Sequence, residues 1–173
     1  TINNSLKSAN CMLPDGEGNI WVGSDSGLDK FNPASVGYTV SFRERQGELN
    51  AATVTSLYMD KNKDLWAGTD GGGMNILRSG KRFDYLLAGN HNSELSSESV
   101  YSVIGDKESR IWIGTLKGGC NIIDPFKNRF LTVSVDPGNR SKLLSNFIHS
   151  FCEDRNTGEI LVGTDGAGLS IWN

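Results

Sequence analysis

The stretch that decides the fold is DKNKDLWAGTDGGG at residues 60–73, because closely related stretches occur three more times in this 173-residue chain. They are DGEGNIWVGSDSG (15–27), DKESRIWIGTLKGG (106–119) and DRNTGEILVGTDGAG (154–168). Their leading aspartates lie 45, 46 and 48 residues apart. A period of this length that recurs four times is typical of a repeat architecture in which each unit is one supersecondary structure.

Each unit contains four short apolar runs separated by Gly, Asn, Asp and Lys. In the second unit the runs are VTSLYMD (54–60), DLWAGT (64–69), GMNILR (73–78) and RFDYLL (82–87). They are rich in β-branched and aromatic residues and show no helical stripe, so they predict β-strands. Four short antiparallel strands in every ~45 residues predict the blade of a β-propeller. We label these strands A to D, with A nearest the propeller axis.

The sequence therefore predicts an all-β chain of about four consecutive four-stranded blades, which together form a partial propeller over residues 1–173. The blades are expected at about 9–48, 54–95, 100–144 and 148–173, the last without its strand D. A ring of about seven blades would need roughly 320 residues. We therefore expect these blades to pair with the remaining blades of a larger ring or with a second copy of the chain.

The residues that recur most strictly are interpreted as structural. The leading aspartates suit Asx-type turns between strands A and B, and Trp21, Trp66 and Trp112 suit the wedge between blades. The Gly-rich segments 70–73 and 165–168 connect strand to strand, so they predict tight turns with positive φ. They do not suit phosphate loops, which need a helix N-terminus. A ligand role for the aspartates and a sugar-stacking role for a tryptophan remain open as alternatives.

Composition and charge narrow the classes of partner. The net charge is −3 and no stretch clusters Lys and Arg, which argues against nucleic acid. No apolar run approaches the ~18 residues of a membrane span, so direct membrane insertion by this segment is not expected. Cys11, Cys120 and Cys152 lie in apolar strand patterns without metal or redox spacing. We expect no metal and no cofactor.

Strand parity predicts where a ligand would bind. The D–A and B–C connections must emerge on one face, and the D–A links at about 43–53, 88–99 and 136–147 are the long ones. Variable polar residues on one face of a regular array are typical of a binding surface, although they could equally be solvated linkers. The B–C loops add Asp25 to the same face. The candidate ligand-binding residues are Arg43, Arg45, Asp70, Asn90, His91, Lys117, Arg140 and Asp165.

Catalysis finds little support in the sequence. His91 and His149 are the two histidines, and neither can be paired with a nucleophile or a carboxylate from its position. His149 lies within strand A, at the position of Thr55 and Tyr101. Carboxylate pairs for glycoside hydrolysis remain open. We expect a non-catalytic segment without catalytic residues.

The motif V-x-S-(x)3-D-(x)4-[LI]-W-[AI]-G-T-(x)2-G-G, as in VTSLYMDKNKDLWAGTDGG (54–72) and VYSVIGDKESRIWIGTLKGG (100–119), closely resembles the two-component regulator propeller repeat. The resemblance runs from about Ala9 to Asn173. It departs where Leu161 replaces Trp and where Ser24 replaces Thr. The family motif is structural, so it transfers no ligand residues to this chain.

The resemblance implies an extracytoplasmic, periplasmic sensor region of a hybrid two-component sensor histidine kinase, as in gut Bacteroidetes. In that family such regions detect glycan breakdown products and pass the signal through a membrane helix. The leading hypothesis is therefore a non-catalytic segment that senses an oligosaccharide or another small molecule. The alternatives are a structural or protein-interaction arc that mediates dimerisation and, as a third class, a propeller lyase.

Overall fold

The chain was analysed as a computed structural model that describes residues 8–79, 81–89, 94–125, 129–135 and 143–172. These residues form fifteen β-strands in four antiparallel sheets of four, four, four and three strands. Each sheet follows chain order, so each is one blade with strands A to D side by side. The predicted all-β propeller architecture is confirmed. No helix long and apolar enough to cross a membrane occurs among the described residues.

The strands of the four blades have the following bounds. The first blade consists of β1 (Cys11–Pro14), β2 (Ile20–Ser24), β3 (Gly27–Asn32) and β4 (Gly37–Phe42). The second consists of β5 (Val54–Met59), β6 (Leu65–Thr69), β7 (Met74–Arg78) and β8 (Arg82–Leu86). The third consists of β9 (Val100–Gly105), β10 (Ile111–Thr115), β11 (Gly119–Asp124) and β12 (Arg129–Val133). The fourth consists of β13 (Ile148–Glu153), β14 (Ile160–Thr164) and β15 (Gly168–Trp172).

The turn between strands A and B is built around the leading aspartate. Asp60 Oδ1 accepts hydrogen bonds from the backbone N–H groups of Asn62 (2.8 Å) and Asp64 (3.0 Å). Asp60 Oδ2 accepts the indole N–H of Trp66 (3.0 Å). The third blade repeats the indole contact between Trp112 and Asp106 at 2.8 Å. The predicted Asx-type turn is confirmed, and the same carboxylate also orients the tryptophan.

The tryptophans fill the space between consecutive blades. Trp21, Trp66 and Trp112 are 6%, 6% and 2% exposed. Each lies in an apolar cluster that includes the first residue of the next blade's strand A, which is Val54, Val100 and Ile148 in turn. The core role predicted for the tryptophans is confirmed, because each ring is buried in the cluster that joins two blades.

The B–C turns are closed by a repeated hydroxyl. Thr69, Thr115 and Thr164 donate their Oγ1–H to the carbonyls of Gly73, Gly119 and Gly168, at 2.9, 2.8 and 2.7 Å. The turns also need left-handed backbone, with φ of +86° at Gly71 and +74° at Gly166. The prediction of tight turns with positive φ is confirmed. Lys117 holds the same position in the third blade with φ of +65°.

The second half of each D–A link is a regular element that the sequence did not reveal. A buried leucine lies five residues before strand A in the second, third and fourth blades, and the next residue donates its backbone N–H to a buried polar side chain of strand C. The leucines are Leu49, Leu95 and Leu143. The hydrogen bonds are Asn50 N to Asn75 Oδ1 (2.9 Å), Ser96 N to Asn121 Oδ1 (3.1 Å) and Leu144 N to Ser170 Oγ (3.1 Å). The second half of each of these links therefore belongs to the buried core of its blade.

Candidate functional site

The D–A and B–C connections meet on one face of the blades, as strand parity requires. In three blades the B–C turn donates a backbone N–H to the end of the D–A link that enters the same blade. The bonds are Asp70 N to Thr53 O (3.0 Å), Leu116 N to Ser99 O (2.9 Å) and Asp165 N to Phe147 O (3.0 Å). The start of strand A is thereby held beside the B–C turn.

A β-bulge interrupts the start of strand A in the second, third and fourth blades. The strand register shifts between Val54 and Ser56, between Val100 and Ser102, and between Ile148 and Ser150. The extra residue in each bulge is left out of the ladder, and bulges commonly redirect such a side chain near functional sites. The bulge residues are Thr55, Tyr101 and His149.

Two of the three bulge residues lie next to carboxylates of B–C turns, whereas Thr55 donates its hydroxyl to the Gly68 carbonyl at 3.0 Å. The Tyr101 hydroxyl donates to Asp70 Oδ2 at 3.4 Å, and His149 Nε2 lies 3.9 Å from Asp165 Oδ2. Ser99 Oγ donates to Asp70 Oδ1 at 2.6 Å. Because strand A is the innermost strand, we name this ring of groups the axial rim. It comprises Asn10, Asp25, Asp70, Ser99, Tyr101, His149 and Asp165.

The local environment shifts the pKa of two groups in the axial rim, Asp25 and Tyr101. Hydrogen bonds from Asn10 Nδ2 (2.9 Å) and Ser8 Oγ (2.7 Å) lower the pKa of the Asp25 carboxyl. Partial burial and the neighbouring Asp70 carboxylate raise the pKa of the Tyr101 phenol. The rim therefore presents carboxylate acceptors beside a protonated phenol donor. This is a surface suited to a ligand rich in hydroxyl groups.

Two of the predicted site residues, Arg43 and Arg45, are engaged within their own loop. The Arg43 guanidinium bridges the buried Asp29 carboxylate (2.9 Å) and the Phe42 carbonyl (2.8 Å). Arg45 forms an exposed ion pair with Glu48, which lowers the pKa of the Glu48 carboxyl. Glu48 in turn accepts the Arg43 backbone N–H at 2.9 Å. This network shapes the first D–A link.

The remaining predicted site residues divide into two groups. Asp70 and Asp165 lie in the axial rim, and exposed Lys117 lies at the tip of the third B–C turn. The residue that corresponds to Asp70 in the third blade is Leu116, so that blade contributes no carboxylate at this position. The predicted residues Asn90, His91 and Arg140 lie outside the described residues.

Sequence reasoning did not propose Tyr101 and His149 as candidate site residues. Both were assigned to a strand interior, where His149 was a poor candidate for any chemistry. The bulge instead leaves the His149 side chain 60% exposed beside Asp165. The signal that could have found these residues is the V-x-S triplet, whose first and third positions recur while the middle residue changes from Thr to Tyr.

Two grooves lie between blades near the A–B turns, on the opposite face. Their volumes are about 350 and 310 Å³, and Asn62 lines both. Trp21 and Trp66 line the two grooves, and the charged groups at their edges are paired within the chain. The pairs include Lys30 with Asp15 (2.8 Å), Lys63 with Glu17 (3.1 Å) and Arg78 with Asp64 (2.7 Å). Each of these charged groups is neutralised by an opposite charge, whereas the carboxylates of Asp25 and Asp70 in the axial rim accept hydrogen bonds from neutral groups.

Within the described part of the chain, no cluster of three or more His, Cys, Asp or Glu residues could hold a metal ion. The free thiols of Cys11 and Cys120 are shielded, and burial raises the pKa of Cys11 to about 11 and that of Cys120 to about 12. Neither thiol is therefore poised as a nucleophile.

Comparison with solved structures shows the same fold in larger proteins. The extracellular domain of a one-component system from B. thetaiotaomicron matches with a TM-score of 0.77 and 23% identity, over 99% of this chain and 25% of that one. PorZ, a surface component of the type-IX secretion system of Porphyromonas gingivalis, matches with a TM-score of 0.70 and 21% identity, over 96% and 26%. The extracellular domain of a hybrid two-component system from B. thetaiotaomicron matches with a TM-score of 0.52 and 22% identity, over 95% and 26%.

The chain thus spans about a quarter of the length of the solved structures that it matches. No match was found among curated proteins. The family model described as "Two component regulator propeller" matches residues 5–26, 48–71 and 94–117. The second and third matches begin at the buried leucine anchor of the D–A link and end in the B–C turn, so they cover the elements that build the axial face. Within these three stretches the chain therefore consists of two-component regulator propeller repeats.

Proposed function

We propose that this chain is a segment of the extracytoplasmic sensor region of a hybrid two-component receptor, and that it binds a ligand without catalysis. The family repeats and the fold shared with extracellular domains of one-component and two-component systems support this proposal. In the proposed receptor the chain lies in the periplasm, and a histidine kinase across the inner membrane reads the bound state to regulate transcription.

We further propose that the ligand is an oligosaccharide and that it binds at the axial rim. The observation that carries this proposal is the placement of Asp70 and Asp165 beside Tyr101 and His149 by a repeated bulge. Carboxylates accept hydrogen bonds from sugar hydroxyls, and aromatic rings pack against the apolar faces of sugar rings. Polar groups that converge on one open surface are typical of small-molecule recognition.

Calorimetry on the complete extracytoplasmic region tests the proposal. The probes are maltooligosaccharides, xylooligosaccharides and chondroitin disaccharides. For the probe that binds, Tyr101→Ala and Asp70→Asn should each weaken affinity about tenfold or more, as expected for loss of a packed ring or a charged hydrogen bond. The matched control is Arg82→Ala on the outermost strand, which is exposed and distant from strand A in the sheet order. Equal affinity in all four proteins would refute the rim assignment.

A second candidate is an interaction arc whose outer blades pair with another copy of the chain. The exposed apolar residues of the fourth blade favour it, since Leu169 and Ile171 are 57% and 49% exposed. Sedimentation of the 173-residue chain separates the candidates. A dimer that forms without sugar and disappears with Leu169→Ser would support the interaction arc, and a monomer at all concentrations would exclude it.

A further inference from the structure

On the axial face, two B–C turns contact the segment that enters strand A of the next blade, and the same backbone hydrogen bond closes both contacts. Gly73 N donates to the Glu98 carbonyl at 2.7 Å, and Gly119 N donates to the Asn146 carbonyl at 3.1 Å. The residues around the two bonds therefore occupy equivalent positions, and their side chains can be compared one by one.

The contact between the second and third blades is polar and acidic. It consists of Asp70 in the B–C turn and of Ser99 and Tyr101 at the start of the next strand A, and we name it the acidic junction. Ser99 Oγ and Tyr101 Oη donate to the exposed Asp70 carboxylate at 2.6 and 3.4 Å. The charged group among these three residues is a carboxylate, so the acidic junction favours neutral or positively charged ligand groups.

The contact between the third and fourth blades carries apolar and basic side chains at the same positions, and we name it the basic junction. In chain order its residues are Leu116, Lys117, Phe147 and His149, in the places of Asp70, Gly71, Ser99 and Tyr101. Phe147 is 37% exposed, and the His149 side chain is 60% exposed. Two rings are therefore accessible beside a lysine, where the acidic junction presents a carboxylate.

Lys117 is the group of the basic junction that can neutralise an anion. It is exposed, and among the described residues no hydrogen bond or ion pair engages its ammonium group. On the opposite face, by contrast, Lys61, Lys63 and Lys107 bridge to neighbouring A–B turns. The ammonium group of Lys117 is therefore available for charge-assisted hydrogen bonds to a ligand.

The backbone at Lys117 is unfavourable for a residue with a side chain. Its φ is +65°, and the equivalent positions of the second and fourth blades are Gly71 (+86°) and Gly166 (+74°). A Cβ atom added at either glycine would meet no atom within 4 Å, so packing in those turns does not require a side chain at this position. Side chains held in left-handed backbone are often found at functional sites. A ligand contact accounts for a lysine at this position.

Carboxylates lie on both sides of the basic junction. Asp70 belongs to the acidic junction, and Asp165 Oδ2 lies 3.9 Å from His149 Nε2. An anionic group of a ligand is repelled at these carboxylates and attracted at Lys117 between them, so the charge pattern selects where each part of a ligand binds. A neutral, hydroxyl-rich sugar suits the acidic junction, and an anionic sugar suits the basic junction.

We propose that the basic junction binds an anionic sugar residue of the ligand, with its carboxylate or sulfate group beside Lys117 and the apolar face of its ring against Phe147. A neighbouring neutral sugar then lies at the acidic junction. The inference rests on the proposed oligosaccharide ligand and deepens it. It names acidic oligosaccharides as the ligand class and fixes the direction in which the sugars cross the rim.

Calorimetry on the complete extracytoplasmic region, with matched pairs of probes, tests the inference. One pair is digalacturonate and its methyl ester, and the other is sulfated neocarrabiose and neocarrabiose, so the members of each pair differ mainly in charge. At least one anionic probe should bind about tenfold more tightly than its neutral counterpart, as expected for a charge-assisted hydrogen bond. The pair that shows this preference distinguishes a carboxylate from a sulfate. Equal affinities within both pairs would overturn the inference.

Lys117→Gly separates the charge from the fold. The variant gives the turn the glycine of the second and fourth blades, so the melting temperature should stay constant or rise. Its affinity for the anionic probe should fall about tenfold, while its affinity for the neutral counterpart should not change. The matched control is Lys81→Ala, which removes the same charge from an exposed C–D turn on the opposite face. Equal losses of affinity in both variants would reveal a general charge effect and would overturn the inference.

The outcomes separate this inference from the proposed function. Binding of neutral probes that depends on Tyr101, without preference for an anion and without an effect of Lys117→Gly, would overturn the basic junction and leave the proposed function standing. If none of the neutral and anionic probes bound, both would be overturned. A preference for an anion that disappears in Lys117→Gly and persists in Lys81→Ala would support the basic junction.

Discussion

At the scale of single residues, the repeated positions of this chain differ in physical role. Some require glycine because of close packing or backbone conformation, and others carry a buried polar group. Gly114 is needed for close approach, whereas Gly71 is needed for left-handed backbone with open space around its Cα. Ser102 lies opposite Gly114 with a buried hydroxyl that has no hydrogen-bond partner within the described residues. Residues that look alike in a repeat therefore have different physical roles, which substitutions can separate.

The close approach at Gly114 predicts a large effect of one methyl group. Gly114→Ala should destabilise the protein by about 1–3 kcal/mol, since the new Cβ overlaps Ile148 Cγ2 and forces the blades apart. Gly71→Ala should cost about 1–2 kcal/mol through backbone strain alone. Urea unfolding measures both in a Ser102→Ala background, because Ser102 Oγ would otherwise lie 2.3 Å from the new Cβ atom. Adding Ile148→Ala should then relieve only the first loss of stability. If Ile148→Ala did not reduce the loss of stability caused by Gly114→Ala, the steric explanation would be contradicted.

For the buried hydroxyl of Ser102, we expect that its removal does not lower the stability of the protein. Ser102→Ala removes a buried polar atom that has no partner, so stability should stay constant or rise by up to about 1 kcal/mol. Thr115→Val is the matched control, because it removes a hydroxyl that donates to Gly119 O at 2.8 Å and should cost about 1–2 kcal/mol. A larger loss for Ser102→Ala than for Thr115→Val would mean that Ser102 has a role that its contacts do not explain.

At the scale of elements, the strands and the A–B turns were predictable, and the D–A links were not. Strand period, β-branched residues and the aspartate of each turn are local properties that a sequence displays. The anchor of Asn50 on Asn75 joins residues 25 positions apart through a backbone N–H, so it cannot be recognised from the local sequence of the link. The bulge that turns Tyr101 toward Asp70 depends on the register between two strands. The sequence therefore predicted Asp70 and Asp165 of the candidate site, but not Tyr101 and His149.

The A–B turn of the first blade predicts a dependence of stability on pH. Burial opposes ionisation of Asp15, but hydrogen bonds from Lys30, Asn19 and the turn backbone outweigh it, so the pKa of this carboxyl lies well below its ordinary value. The unfolded chain then binds the proton more readily than the folded one. The stabilisation is complete above the unfolded-state pKa of about 3.9 and is lost as the pH falls toward the folded-state pKa.

Asp15→Asn tests this pH dependence. The variant should be less stable than the parent at pH 7, and the difference should shrink as the pH is lowered from 5 toward 2. Thermal unfolding across that range gives the measurement, with exposed Glu17→Gln of the same turn as the control. A constant difference at all pH values would show that the Asp15 charge does not stabilise the turn.

At the scale of the whole molecule, the blades and their order followed from a period of about 46 residues. The distribution of polar groups over the two faces did not follow from this period. Two concavities lie on the A–B face, and the Lys30–Asp15 and Lys63–Glu17 ion pairs neutralise charges that line the first of them. On the axial face, the exposed carboxylates of Asp25 and Asp70 accept hydrogen bonds from neutral groups. The axial rim is therefore the surface that we propose for ligand recognition.

Hydrogen–deuterium exchange on the complete extracytoplasmic region, with and without the sugar probe that binds, distinguishes the two faces directly. Ligand at the axial rim should slow amide exchange at 99–102 and 147–150 and in the B–C turns at 70–73 and 165–168. The A–B turn at 60–64 should be unchanged. Protection confined to 60–64 and its counterparts, with no change at the bulges, would contradict the axial rim as the ligand-binding surface.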